Sequence, residues 1–168
     1  MRVFLLLLLL TLPVLAEHTV SHGGRAIVTF DAPEVQYRGE KEGKETRTFF
    51  SNPVGSGNLK ITVRSKGWMS ELKAEQRFQD DRHEKRNSQN SRLEGEVEVP
   101  GALKTLTFSM SSPYVGKGII VYTKDFRCEL LVTGTEEAAE LIEPTYQQMV
   151  ETLKVVPRTK IGELKIGD

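Results

Sequence analysis

The sequence predicts an α+β fold: an antiparallel sheet of about six to seven strands, in the order β-β-β-α-four-strand meander-α, packed against helices. Three observations carry that prediction. Period-two alternation runs through short segments such as "LKITVRS" (59–65), where Leu59, Ile61 and Val63 alternate with Lys60, Thr62 and Arg64. From residue 93 onward the strand-like segments are joined by "PGA", "SPYVGK" and "KDF". These joins are too short for the crossovers of roughly a dozen residues that parallel neighbours need. Two longer segments, one on each side of this meander, carry helical spacing and helix-start residues.

The first sixteen residues, "MRVFLLLLLLTLPVLA", read as an export leader. Arg2 supplies a positive start, Phe4 to Leu12 an apolar run too short to span a bilayer, and Pro13, Val14 and Ala16 the approach to a cleavage site. Cleavage after Ala16 leaves a chain of about 150 residues, one domain of ordinary size. The expected organisation is therefore a signal peptide over 1–16, a single domain over 17–156 and a tail over 157–168. The expected location is the periplasm or the outside of the cell, with no membrane span once the leader is gone.

After "EHTVSHGG", the segment "RAIVTF" places Ala26, Val28 and Phe30 on one side. "TRTFF" (46–50) and "LKITVRS" follow, separated by "SNPVGSGN". A helix is expected from Ser70, its N-cap, to Arg86, with Asn87 as the stop. Trp68, Met69 and Leu72 share a direction, so the first half should dock on the core and the second half reach toward solvent. Four strands come next. "LEGEVEV" sets Leu93, Val97 and Val99 on one face, and "LKTLTFSMS" turns Leu106, Phe108 and Met110 inward and Thr105, Thr107, Ser109 and Ser111 outward. "GKGIIVYT" and "RCELLVT" complete the meander. The last segment, "TEEAAELIEPTYQQMVETLKVV", is a helix capped by Thr135, with Glu136 and Glu137 where the dipole favours them. Pro144 should kink or split it. Tyr146, Met149, Val150 and Leu153 form its sheet-facing stripe.

This order of elements, and above all "CELLVTGTEEAAELIEPTYQQMVETLKVV" with its V-x-T-L/F-K type ending, resembles the PsbP-like α+β fold shared with the Ran-binding nuclear import factors. The resemblance covers roughly Gly24 to Val156. It implies an accessory or assembly protein that acts through its surface, not an enzyme, and it assigns no functional residues.

Composition narrows the classes. The chain holds 23 Lys and Arg against 23 Asp and Glu, a formal net charge of zero. A nucleic-acid binder shows a clear basic excess, so that class is set aside. Cys128 is the only cysteine, so no internal disulfide forms and stability rests on an apolar core. In phase with Leu130 and Val132, Cys128 belongs to that core as an inert small hydrophobe. No cofactor signature is present.

The densest ionisable stretch is "DDRHEKR" (80–86). On a helix Asp80, His83 and Glu84 share an arc of about 100°, which makes them metal-ligand candidates. Carboxylate-x-x-His is half of the pattern of carboxylate-bridged metal bundles, and no second copy exists. Arg77–Asp81 and Asp81–Lys85 are opposite charges at i,i+4, the ordinary arrangement on a solvated face. The plain reading is a wet helix. His18 and His22 would chelate copper only at a terminus cut just before His18; a frayed terminus is the ordinary reading. Glu94, Glu96 and Glu98 would project from one strand face about 6.8 Å apart. Such rows normally sit beside neighbouring cations, and calcium asks for six or more oxygens in a tighter loop.

"PVGSGN", "SELK" and "VGKG" match nucleophile or phosphate-loop motifs only in part, so no catalytic residue is assigned. Two binding candidates remain. Trp68 at a strand-to-helix junction would anchor a partner if exposed, or cap the core if buried. Thr105, Thr107 and Ser109 would form a polar binding face if no helix covers them. The function expected is an exported, non-enzymatic binding or assembly module whose partner is another exported protein. One alternative is a carrier holding a small apolar molecule between the sheet and the C-terminal helix, against Tyr146 and Met149. The other is a hydrolase of unrecognised type that joins His83 to Glu84 or to the strand glutamates.

Overall fold

The computed structural model describes residues 15–33, 36–41, 45–52, 59–67, 70–111 and 114–158; for residue 15 and for 33–52 it describes the backbone alone. In chain order the strands and helices are β1 (Leu15–His22), β2 (Arg25–Pro33), β3 (Gln36–Lys41), β4 (Glu45–Asn52), β5 (Leu59–Gly67), α1 (Glu71–Asn87), β6 (Ser91–Gly95), β7 (Lys104–Met110), β8 (Val115–Tyr122), β9 (Phe126–Gly134), α2 (Ala139–Thr152) and β10 (Lys154–Val155). The fold is α+β and antiparallel. It holds two sheets where the sequence implied one: a large sheet in the order β3-β4-β5-β9-β8-β7-β6 and a small one in the order β1-β2-β10. The meander β6 to β9 runs between sequential neighbours, and β9 closes on β5.

Three strands escaped the sequence reading. β1 falls across the expected cleavage site, beginning at Leu15, and buries Val20, the one apolar residue of its Glu17–His22 part; a cut after Ala16 would leave Glu17–His22 of it. β3 lies in "QYRGEK", which has no apolar alternation. β10 occupies two residues at what reads as the end of the last helix, paired with Thr29 and Val28 of β2. The β1–β2 connection is a two-residue hairpin at Gly23 and Gly24, with φ of 59° and 74°. Left-handed geometry at both positions matches the twist of the flanking strands, and glycine reaches it without a Cβ penalty.

Around β7 and β8 the large sheet is covered on both faces. On one face Ile61, Val63, Ile119, Val121, Cys128 and Leu130 meet Val28 and Phe30 of the small sheet and Ile142, Tyr146 and Met149 of α2. On the other, Leu106, Phe108, Ile120 and Tyr122 lie under Ala74 and Phe78 of α1. β8 makes room for the Phe108 ring with Gly118, because a Cβ there would collide with it.

The helices depart from expectation in instructive ways. α1 starts as read, with Ser70 Oγ accepting from the Lys73 amide at 3.4 Å. Its docking stripe, however, is Ala74, Phe78 and Asp81, while Leu72 is 80% exposed. The helix therefore docks into its second half, and the stripe drawn through Leu72 points to water; Trp68 and Met69 lie outside the described residues. In the last segment a 3-10 turn at Glu136–Ala138 precedes α2, which then runs unbroken through Pro144. Pro144 is exposed, so the carbonyl it strips of a partner can turn to water. "LEGEVEV" is not one strand. The ladder to β7 shifts register between Leu93 and Gly95 and β6 ends there. Val99 then joins the core on the α2 side, whereas Leu93 packs on the α1 side and Val97 is 38% exposed. No helix among the described residues is long and apolar enough to cross a membrane.

Candidate functional site

Of "DDRHEKR", the residue that matters to the fold is Asp81, which is 1% exposed. Tyr122 Oη donates to its Oδ2 at 2.6 Å and Arg127 Nε to the same oxygen at 2.7 Å, while Arg77 Nη2 stands 2.9 Å from Oδ1. Arg127 also reaches Glu129 at 3.2 Å, and Lys85 Nζ lies 4.0 Å from Glu129 and 3.9 Å above the Phe108 ring. Burial pushes the Tyr122 phenol far above its usual range, and the Asp81 carboxylate beside it adds to the shift. Desolvation opposes the charge on Arg127, but Glu129 and Asp81 outweigh it and hold the guanidinium more firmly protonated. The Arg77–Asp81 pair read as a solvated i,i+4 contact is thus one edge of a buried clamp.

The metal candidates do not converge. Asp80, His83 and Glu84 are exposed, and His83 accepts from the Asn87 side-chain amide at 3.0 Å. Among the described residues no three His, Cys, Asp or Glu side chains gather around a common point. The glutamate row is broken by the irregularity at Gly95. Glu94 instead pairs with Lys117 at 3.4 Å, and Lys117 reaches Glu143 of α2 at 2.9 Å. Glu94 therefore lies on the α2 side of the sheet and His83 on the α1 side, so the structure does not bring that acid–base pair together.

The expected polar face is not open. Thr105 and Thr107 are 3% and 5% exposed and Ser109 is half-buried. Leu106 and Phe108 point into the α1 layer, so their neighbours must point into the other one. There Thr105 Oγ1 accepts from the Val97 amide at 2.9 Å and donates to the Val97 carbonyl, tying down the chain after β6. Trp68 lies outside the described residues. Between α2 and the sheet, Tyr146 and Met149 are 5% and 0% exposed and belong to the core, with Tyr146 Oη 3.5 Å from the Gly118 carbonyl. Cys128 is buried in the same layer, where burial pushes its thiol up to about 12.

A cleft of about 580 Å³ opens where the β1–β2 turn, the β8–β9 turn, the start of α1 and the segment after β10 meet. Its lining includes His22, Arg25, Lys73, Asp125 and Arg158. Arg25 Nη1 and Arg158 Nη1 each stand 3.8 Å from a different Asp125 oxygen. The walls are fixed. His22 Nδ1 is 2.9 Å from Ser65 Oγ, and the buried Thr123 hydroxyl accepts from the amides of Asp125 and Phe126 at 3.1 and 3.0 Å. A second groove, of about 660 Å³, runs along 96–105 past Glu96, Glu98, Leu103 and Lys104. Sequence reasoning missed the cleft because its residues come from four separate places, one of them at the start of a tail read as peripheral.

No family model matches the chain, and no curated protein matches it. Among solved structures it is similar to one described as "Crystal structure of LpqN involved in cell envelope biogenesis of Mycobacterium tuberculosis". The likeness has a TM-score of 0.49 and 12% identity, covering 85% of this chain and 92% of that one.

Proposed function

We propose that this protein is an exported, non-enzymatic binding or assembly module of PsbP-like type that works through its surface, with another exported protein as its partner. One observation carries the reading: the protein's own side chains occupy the space between α2 and the sheet, with Tyr146, Met149 and Leu153 packed against Ile119, Val121 and Leu130. A carrier of apolar ligands needs that space as an enclosed cavity of several hundred cubic ångströms. The cleft beside α1, by contrast, is open and mixes charged side chains with Ile27 and Phe126. The buried ionisable groups under α1, Asp81, Arg127, Glu129 and Tyr122, engage one another in holding the helix to the sheet. The leader-like "MRVFLLLLLLTLPVLA" supports export.

The test has two arms. Native mass spectrometry of the protein purified from its own source should show the unliganded mass, starting at Glu17. Crosslinking in the intact exported fraction should then link a surface lysine to a second protein at reproducible sites. A stoichiometric apolar molecule released only on denaturation would overturn the surface reading in favour of the carrier.

A further inference from the structure

We infer that the cleft lined by Arg25, Lys73, Asp125 and Arg158 is a binding site for a phosphate-type dianion. This goes beyond the role proposed above and stands on separate observations. Three cations from three separate parts of the chain line one concavity of about 580 Å³, with a single carboxylate among them. The imbalance is local, since the chain as a whole has a formal net charge of zero. A ligand carrying two negative charges neutralises it.

The geometry around Asp125 separates a site from an ordinary ion-pair cluster. Both arginines approach it at 3.8 Å, well beyond the roughly 2.7–2.9 Å of a charge-assisted hydrogen bond. They bracket the carboxylate without closing on it, so their planar forks keep donors for another oxyanion. Lys73 Nζ has no ion-pair partner among the described residues. The Lys73 amide is not the donor on offer, because Ser70 Oγ already takes it. What α1 supplies is the ammonium group.

The frame is also set in advance. Arg25 follows the Gly23–Gly24 hairpin, Asp125 is pinned through Thr123, and Arg158 is carried by the β10–β2 pairing, which continues in the Val156 amide to Ile27 carbonyl bond at 2.9 Å. A ligand therefore meets cations whose backbone positions need not change, which lowers the cost of ordering them. Asp125 plays the opposing part. It offsets part of the arginines' charge and so weakens every anion that enters.

The source of the phosphate group is either a soluble phosphate compound or a phosphomonoester lipid headgroup, and the experiment separates them. The mature chain is titrated with inorganic phosphate and pyrophosphate at low salt, by calorimetry and by amide chemical shifts. In parallel it is sedimented with phosphatidylcholine vesicles that contain or lack phosphatidic acid. Binding to the free anions assigns the site to soluble ligands; binding confined to phosphatidic acid vesicles assigns it to the headgroup. In either arm Arg25→Ala and Lys73→Ala should weaken binding about tenfold, Asp125→Asn should strengthen it several-fold, and Arg86→Ala at the far end of α1 should leave it unchanged. Arg158 is 71% exposed, so Arg158→Ala carries the test if Arg25→Ala fails to fold. The inference falls if neither arm shows saturable binding, if binding ignores these substitutions, or if Asp125→Asn weakens it.

Discussion

Replacing Asp81 by asparagine asks whether charge holds α1 on the sheet. The carboxylate, 2% exposed, takes donors from Tyr122, Arg127 and Arg77 within 2.9 Å. Removing one member of a buried ion pair costs about 3–5 kcal/mol, because the partner stays behind uncompensated. Two features pull this case toward the lower end. Arg127 keeps Glu129 at 3.2 Å, and asparagine retains one acceptor oxygen at nearly the same volume. The expected cost is therefore about 2–3 kcal/mol. At about 2–4 °C per kcal/mol for a domain near 150 residues, Tm should fall by roughly 5–10 °C. Thermal and urea melts followed by circular dichroism measure this directly. Had the helix face been solvated, the Arg77–Asp81 pair would be worth only about 0.3–0.5 kcal/mol. A Tm loss under about 2 °C would therefore refute the clamp. So would additivity in a double-mutant cycle with Tyr122→Phe, since both residues meet at Asp81 Oδ2.

The docking phase of α1 gives a second test: Leu72→Ser should change stability by less than about 0.5 kcal/mol, whereas Phe78→Ala, at 1% exposure, should cost about 3–5 kcal/mol in urea unfolding. Cys128, with its thiol pushed up to about 12 by burial, should react with an alkylating reagent at about pH 8 no faster than the chain unfolds; prompt native-state modification would contradict its placement. The Glu143 carboxylate raises Lys117, while Gln147 and then Lys117 hold Glu143 down. The stability tied to Lys117 is thus complete below its ordinary 10.5 and lost as pH climbs past it. That tied to Glu143 is complete above its ordinary 4.5 and lost as pH falls below. Lys117→Met should cost under about 1 kcal/mol at neutral pH, less in high salt and less again near pH 3; a cost independent of pH would contradict the pairing.

Period-two alternation and short joins were enough to read the α+β class and the antiparallel meander, and Ser70 marked the start of α1. The failures share a physical cause. Alternation tells a strand's two sides apart but assumes that one of them is wet. β7 is buried on both, so the Thr105–Thr107 side looked like a surface when it is an interior held by the Val97 backbone. Likewise Asp80 and Asp81 look alike once the helix is phased on Leu72. The difference is made by Tyr122 and Arg127, which arrive 41 and 46 residues later in the sequence. A stripe drawn through Ala74 and Phe78, instead of Trp68 and Leu72, would have run on to Asp81 and Lys85 and exposed the error.

The buried clamp and the open cleft are mechanically one arrangement. Lys73 and Asp81 ride on the same helix about two turns, or roughly 12 Å, apart, and at 100° per residue Lys73 sits about 80° around from Asp81 and about 110° from the middle of the docking stripe. Lys73 can face the cleft only while that rotation is fixed. Ala74 and Phe78 alone would tolerate some roll, because apolar contact has no direction. Hydrogen bonds to Asp81 from two strands do not, because their donors lie at fixed angles and leaving them unmet in a dry interface costs more than making them returns. The polar groups under α1 thus fix the helix's rotation, and with it where its first cation points.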